Sequence, residues 1–332
     1  MKRRDFIGYA GALVGAAPFA APPAARAQQP GRQKVIGVTF SSADNTESRQ
    51  RAEAFRNGLK ALGWNEGKEY RLEFRSLGND SEKAKTLGAE LIALSPDVIL
   101  SSGTVATTAM RSLTRDIPVV FVNVTDPVAG GFVASLAHPG GNMTGLTPFD
   151  YPIAAKWLQL IREIDPRVTR AALMGDPNNH NFKGFWSPFA EEAKRLSIEP
   201  IQLAAPDAGE IERGVAGLAA TPGAGLIVSA AAFSLVHRKL IVDLAAQHKV
   251  PAIYWSRFFA QAGGLMAYGP DTMELHRQAA GFVDRILRGE KPEALPVERA
   301  IAYELVVNAR TARALGVDPP AALMARAEEV IE

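Results

Sequence analysis

The chain has 332 residues, 47% apolar and 22% charged, which suggests two globular domains at about 150 residues each and excludes disordered, collagen-like and coiled-coil classes. With 37 Lys and Arg against 35 Asp and Glu, the net charge of +2 gives no basis for a nucleic-acid-binding surface. Cysteine is absent, which removes disulfide frameworks, thiolate metal sites, iron–sulfur clusters, cysteine nucleophiles and a lipid anchor on an N-terminal cysteine.

The chain opens Met1-Lys2-Arg3-Arg4-Asp5-Phe6-Ile7, runs through an Ala- and Gly-rich stretch from Gly8 to Ala21, and reaches Ala25-Arg26-Ala27. A charged start, a short apolar middle and a small-residue end predict an export signal over residues 1–27, and the Arg3-Arg4 pair gives it a twin-arginine character. Pro18, Pro22 and Pro23 cut the apolar run well short of the ~20 residues that span a bilayer. Lys2, Arg3, Arg4 and Arg26 against Asp5 leave +3 in this segment, so the chain from about Gln28 carries about −1. No later stretch is apolar for long enough to cross a membrane, and the mature chain is expected to be soluble.

Short β-branched runs then alternate with amphipathic helical stretches, the pattern of parallel sheets covered by helices. A strand over 35–40 ends in Ser41-Ser42, and Phe55, Leu59 and Leu62 mark a helix stopped by Gly63. A strand at 70–74, a helix at 82–94 and an apolar strand at 97–100 follow. Ser101-Ser102-Gly103-Thr104 leads into another helix, and 117–122 is again a strand. A helix is expected at 128–136 after Asp126-Pro127. The second half repeats the pattern, with strands at 170–174, 198–203, 225–228 and 250–254 and helices at about 185–196 and 236–248. Strands 35–40, 97–100 and 117–122 match 170–174, 225–228 and 250–254, and the third of each set opens on Ile117-Pro118-Val119 or Val250-Pro251-Ala252. The chain reads as two similar α/β units.

Ligands of open parallel sheets sit beyond the carboxyl ends of the strands. Here those ends carry Ser41, Ser42, Ser102, Gly103, Thr104, Asn123, Thr125 and Asp126 in the first unit, and Asn178, Asn179, Ser229, Tyr254 and Trp255 in the second. This is a hydrogen-bonding inventory with few titratable groups. Ser102-Gly103-Thr104 places hydroxyls and free backbone N–H groups at a helix start, which suits an anion such as a carboxylate, or simple capping by Ser102 or Thr104. Asp126 could pair with a ligand ammonium or open the turn before Pro127. Tyr254 and Trp255 could stack on a planar ligand group or pack the core. Enzyme constellations are missing from the sequence: His138, His180, His237, His248 and His276 are scattered, and neither a GxSxG elbow nor a GxxxxGK[ST] loop occurs. Thr221-Pro222-Gly223-Ala224-Gly225 precedes a strand, the wrong context for a dinucleotide fingerprint.

The run from Ile117 to Val122 through Asp126-Pro127-Val128, then Gly131-Phe132-Val133 to Asn142-Met143-Thr144-Gly145, closely resembles a signature stretch of the substrate-binding proteins of ABC importers, in the branch that includes binders of tryptophan and other aromatic amino acids. Ala54-Phe55-Arg56-Asn57-Gly58-Leu59, Ala262-Gly263-Gly264-Leu265-Met266 with Tyr268-Gly269-Pro270, and Arg326 to Ile331 extend the resemblance over essentially the whole mature chain. It implies a type I periplasmic-binding-protein fold, two Rossmann-like lobes with parallel sheets joined by three hinge crossovers near 147–150, 265–269 and 297–302. Lobe one would hold 28–146 with about 270–296, and lobe two about 151–264 with about 298–332. It also implies a periplasmic monomer without cofactor or metal that captures a small molecule, an amino acid or related solute, and delivers it to an ABC permease and its ATPase. On that basis Ser102 and Thr104 would take a ligand carboxylate, Asp126 its ammonium, and the Tyr254 and Trp255 region its side chain. The chain departs from the family's pattern at Asp176-Pro177-Asn178 and Trp255-Ser256, both on the ligand-facing side of lobe two. A ligand-sensing module for a membrane receptor, or a two-domain α/β enzyme, would share the same cleft.

Overall fold

The computed structural model describes residues 32–332 other than 43–44, 79–80, 149, 177–179 and 301. The expected export signal lies outside the described residues. The first sheet contains β1 (Lys34–Phe40), β2 (Tyr70–Ser76), β3 (Val98–Ser102), β4 (Val119–Val122) and β5 (Met143–Thr147), interleaved with α1 (Thr46–Ala61), α2 (Ser81–Ala93) and α3 (Thr104–Leu113). The second follows α4 (Ile153–Ile164). It contains β6 (Arg170–Gly175), β7 (Glu199–Ala204), β8 (Ala224–Val228), β9 (Ala252–Tyr254) and β10 (Met266–Pro270), interleaved with α5 (His180–Arg195), α6 (Ala208–Ala219), α7 (Ala232–Val236), α8 (Arg238–Gln247) and α9 (Arg257–Gln261). Then α10 (Thr272–Leu287) and β11 (Glu298–Arg299) return to the first sheet, and β12 (Tyr303–Asn308), α11 (Ala309–Leu315), α12 (Ala321–Met324) and β13 (Glu329–Ile331) complete the second.

The strand orders are β11-β5-β4-β3-β1-β2 and β13-β12-β10-β9-β8-β6-β7. In both sheets the first strand of the unit lies between its second and third, so connections leave in opposite directions on either side of it. That topological switch point opens a crevice at the carboxyl ends of β1 and β3, and again at β6 and β8. Alternation along the strands builds two apolar layers on the first sheet: Ile36, Val38, Val98, Leu100, Val120 and Val122 face α1 and α10, whereas Ile99, Val119 and Phe121 face α2 and α3. The second sheet has its own core around Trp157, Phe185, Phe189 and Phe259.

Three sequence expectations change. The parallel sheets include one antiparallel pair, β10 with β12. Residues 128–136 form turns and irregular chain instead of a helix, because Gly130-Gly131 interrupts the segment, with Gly131 at φ +66°, and Asp126 Oδ1 accepts from the Ala129 amide at 2.8 Å to close a turn. The stretch 236–248 is preceded by α7 and broken at His237, leaving two helices. The chain changes sheets between Thr147 and Ile153, at Asp271 and between Arg299 and Tyr303; Met266–Pro270 is wholly a strand of the second sheet.

Candidate functional site

The two switch points face one another across a cavity of about 710 Å³, within the range of about 300–1,000 Å³ usual for small-molecule sites. Ser41 and Ser42 reach it from the end of β1, Ser102 and Gly103 from β3, Thr104 and Val105 from α3, Asn123 and Thr125 from beyond β4, and Glu47 and Arg51 from α1. The opposite wall comes from the second sheet's side. Asp176 follows β6, Phe182 lies on α5, Ser229 follows β8, Phe233, Leu235 and Val236 lie on α7, and Trp255 follows β9. One wall is therefore mostly polar and the other mostly apolar.

At the polar wall, Gly103 holds φ +94°, and a Cβ there would come within 2.6 Å of Ser41 Oγ. Only glycine allows the close approach by which Ser41 Oγ accepts from the Ala106 amide at 2.8 Å. The cap of α3 thus comes from the neighbouring strand, and neither Ser102 nor Thr104 supplies it. The Gly103 amide donates to the Val122 carbonyl at 2.8 Å, while the amides of Thr104 and Val105, in the helix's first turn, meet no acceptor among the described residues. Three buried side-chain atoms at the cavity also lack a partner there: Ser42 Oγ, Arg51 Nε and Asn123 Oδ1. Asn123 occupies the left-handed region at φ +59°, which asparagine tolerates better than most residues.

Arg51 is only 4% exposed. Its guanidinium lies 5.6 Å from the Phe258 ring centroid and 3.7 Å from Glu47. Burial lowers its pKa, with Glu47 opposing. Glu47 also pairs with Arg238 of α8, whose guanidinium is 6.0 Å from the same Phe258 ring. Behind Ser102 sits His276 of α10, fully buried, its Nδ1 2.6 Å from the Thr272 carbonyl and its Nε2 3.1 Å from Ser102 Oγ. Burial, helped by the Arg51 charge, pushes this imidazole down to about 3, so it is neutral at ordinary pH. Across the cavity Ser229 donates to the Met174 carbonyl at 2.7 Å, and Trp255 Nε1 donates to Ser234 Oγ at 3.2 Å.

Of the strand-end residues singled out from the sequence, Ser41, Ser42, Ser102, Gly103, Thr104, Asn123, Thr125, Ser229 and Trp255 line the cavity. Asn178 and Asn179 lie outside the described residues. Asp126 and Tyr254 do not line it. The Asp126 carboxylate accepts from the Ala129 amide and from the Tyr151 hydroxyl, the latter at 3.0 Å, and is drawn into the turn instead of the cavity. Tyr254 is 1% exposed and stacked on Phe259 at 4.9 Å, a core residue. Glu47, Arg51, Phe182, Phe233, Arg238 and the supporting His276 were missed by reasoning from strand ends, because all six lie on helices. Among the described residues no cluster of His, Asp and Glu could hold a metal ion, and no helix is long and apolar enough to cross a membrane.

A family model described as ABC transporter substrate binding protein matches residues 40–331. The tyrosine-binding protein of Clostridioides difficile is 24% identical over 290 residues, covering 86% of this chain and 81% of that one. The ABC domain in complex with L-Trp from Streptococcus pneumonia is 23% identical with a TM-score of 0.82, over 90% of this chain and 100% of that one. A conserved domain protein from Vibrio cholerae has 25% identity, the same TM-score of 0.82 and the same coverage, 90% and 100%. The two-sheet architecture is that of the type I periplasmic binding proteins.

Proposed function

The chain belongs to the family of ABC transporter substrate binding proteins, and from that premise we propose that it captures an amino acid with an apolar, preferably aromatic, side chain and delivers it to an ABC importer. The observation that carries this reading is the set of buried, unpartnered polar atoms, Ser42 Oγ, Arg51 Nε and Asn123 Oδ1, on residues that line a cavity whose far wall presents Phe182, Phe233, Leu235 and Trp255. A buried polar atom left unpaired costs about 1–3 kcal/mol, so a polar headgroup that satisfies these atoms is favoured, and an apolar side chain fits the facing wall. The tyrosine and L-Trp named for two relatives make those the first amino acids to test. The polar strand ends of the first sheet take the headgroup, and rotation about the three passages between the sheets brings the apolar wall over the side chain. Residues 1–27 export the chain, which acts without a cofactor as a soluble periplasmic monomer.

A thermal-shift screen of the twenty amino acids, with sugars and polyols as controls, tests the reading. A ligand at a hundred times its Kd adds about 2.7 kcal/mol and raises Tm by several degrees. Stabilisation by tyrosine, tryptophan or another apolar amino acid is expected, with micromolar affinity, about −8 kcal/mol, in calorimetry. Stabilisation by sugars or polyols alone would refute it.

A further inference from the structure

The His276 contacts decide which way the Ser102 hydroxyl points its proton. The Thr272 carbonyl can only accept, so Nδ1, 2.6 Å away, must carry a hydrogen. A neutral imidazole protonated on Nδ1 has a bare Nε2, which can only accept. The sole proton of Ser102 Oγ, 3.1 Å from Nε2, is therefore committed to the histidine, and what Ser102 turns to the cavity is lone pairs. Ser102 is paired with Val122 across β3 and β4, so Asn123, with its unpartnered Oδ1, follows directly beyond that pairing. The other end of the polar wall has the opposite sense. Ser41 Oγ accepts from the Ala106 amide and keeps its own proton free, beside the open amides of Thr104 and Val105.

We infer that Ser102 and Asn123 form an acceptor subsite for the ligand's ammonium group, with His276 as the positioning residue that fixes Ser102 as an acceptor, and that the carboxylate lies at the start of α3. Ser102 thereby moves from the carboxylate, where its place before a helix suggested it, to the ammonium, the role offered to Asp126, which does not line the cavity. The assignment rests on the amino-acid reading above and deepens it.

Each probe is paired with its deaminated analogue: L-tryptophan with 3-(indol-3-yl)propanoic acid, and L-tyrosine with 3-(4-hydroxyphenyl)propanoic acid. Calorimetry on the full mature chain and its Ser102→Ala variant should show the amino acids weakened at least tenfold and the deaminated acids changed less than about twofold, tenfold being about 1.4 kcal/mol. Parallel losses for both members of a pair would place Ser102 at the carboxylate and overturn the assignment. Nitrogen-15 spectra of the histidine rings report independently of any ligand: His276 should remain the Nδ1–H tautomer from pH 5 to 9. A proton on Nε2 in that range would overturn its positioning role. Failure of every amino acid to bind the wild-type chain would instead sink the amino-acid reading itself, and the subsite with it.

Discussion

Glu304 lies on β12, 9% exposed, with its carboxylate 2.8 Å from the Arg257 guanidinium, which also pairs with Glu329. Burial pushes this carboxyl from 4.5 up to about 7 against the pull of Arg257, with Asp271 adding to the rise. Between those two values the native chain holds a proton that the unfolded chain has lost, so stability falls as pH rises through that window and levels off above it. Each pH unit inside the window costs up to about 1.4 kcal/mol. Thermal unfolding followed from pH 4 to 9 should show this decline, and Glu304→Gln should flatten it; an unchanged slope in the variant would assign the decline elsewhere. The same scale shows where sequence reasoning stops. Hydroxyls and amides at strand ends were legible because an open sheet sends its loops to one edge. Arg51 was not read, although it stands four residues before Phe55 and eight before Leu59 and so continues the apolar stripe of α1. A charged residue on a buried stripe needs a partner or a ligand, and that rule would have found it. His276 on α10 lies likewise among buried Thr272, Ala279, Ala280 and Val283.

Helix α10 packs on α1 although more than two hundred residues separate them, and the crossing depends on Gly58. A Cβ built there would lie 2.5 Å from the Arg277 carbonyl and 2.7 Å from the Ala280 Cβ, so the helices touch backbone to backbone. Gly58→Val should push them apart and cost about 1–3 kcal/mol, the usual penalty for overpacking, visible as a lowered Tm by circular dichroism. A Tm equal to wild type would mean that the crossing is slack. Element by element, the alternation of strands and helices was readable because each strand here is a short apolar run and each covering helix an amphipathic one. Pairing direction was not: β12 is buried along nearly its whole length, and such a run looks the same whether it lies parallel or antiparallel to β10. Helix α7 escaped for a related reason. Phe233, Leu235 and Val236 face the cavity, so their apolar spacing does not continue the core stripe that marks α8.

At the scale of the whole molecule, the contacts across the cavity's mouth matter as much as the cavity. Phe258, carried by the second sheet's α9, lies against two guanidinium groups, Arg51 at 5.6 Å from α1 and Arg238 at 6.0 Å from α8, and Glu47 of α1 bridges both arginines. Tyr151 meets Asp126 at 3.0 Å on another side. Of these, Arg51 with Phe258 and Glu47 with Arg238 join elements packed on different sheets, so opening must break them while leaving each sheet's core intact. A cation–π pair such as Arg51 with Phe258 contributes about 0.5–1 kcal/mol, enough to shift an open–closed equilibrium about two- to fivefold without locking it. Phe258→Leu keeps an apolar side chain at a position outside the cavity lining and removes the ring face, which isolates this effect. Because the chain has no cysteine, dyes can be placed on Leu62→Cys and Val330→Cys, two exposed positions on elements of different sheets, without other labelling. In the absence of amino acid, Phe258→Leu should shift the interdye distances toward the longer, open population. It should also weaken L-tryptophan or L-tyrosine binding about two- to fivefold, since the binding-competent closed state becomes rarer. Unaltered distances would show that closure is held by the hinge passages or by the ligand alone. A longer distance with unaltered affinity would mean that the ligand first meets the open form and that the arginine–phenylalanine stack adds nothing to the closed complex.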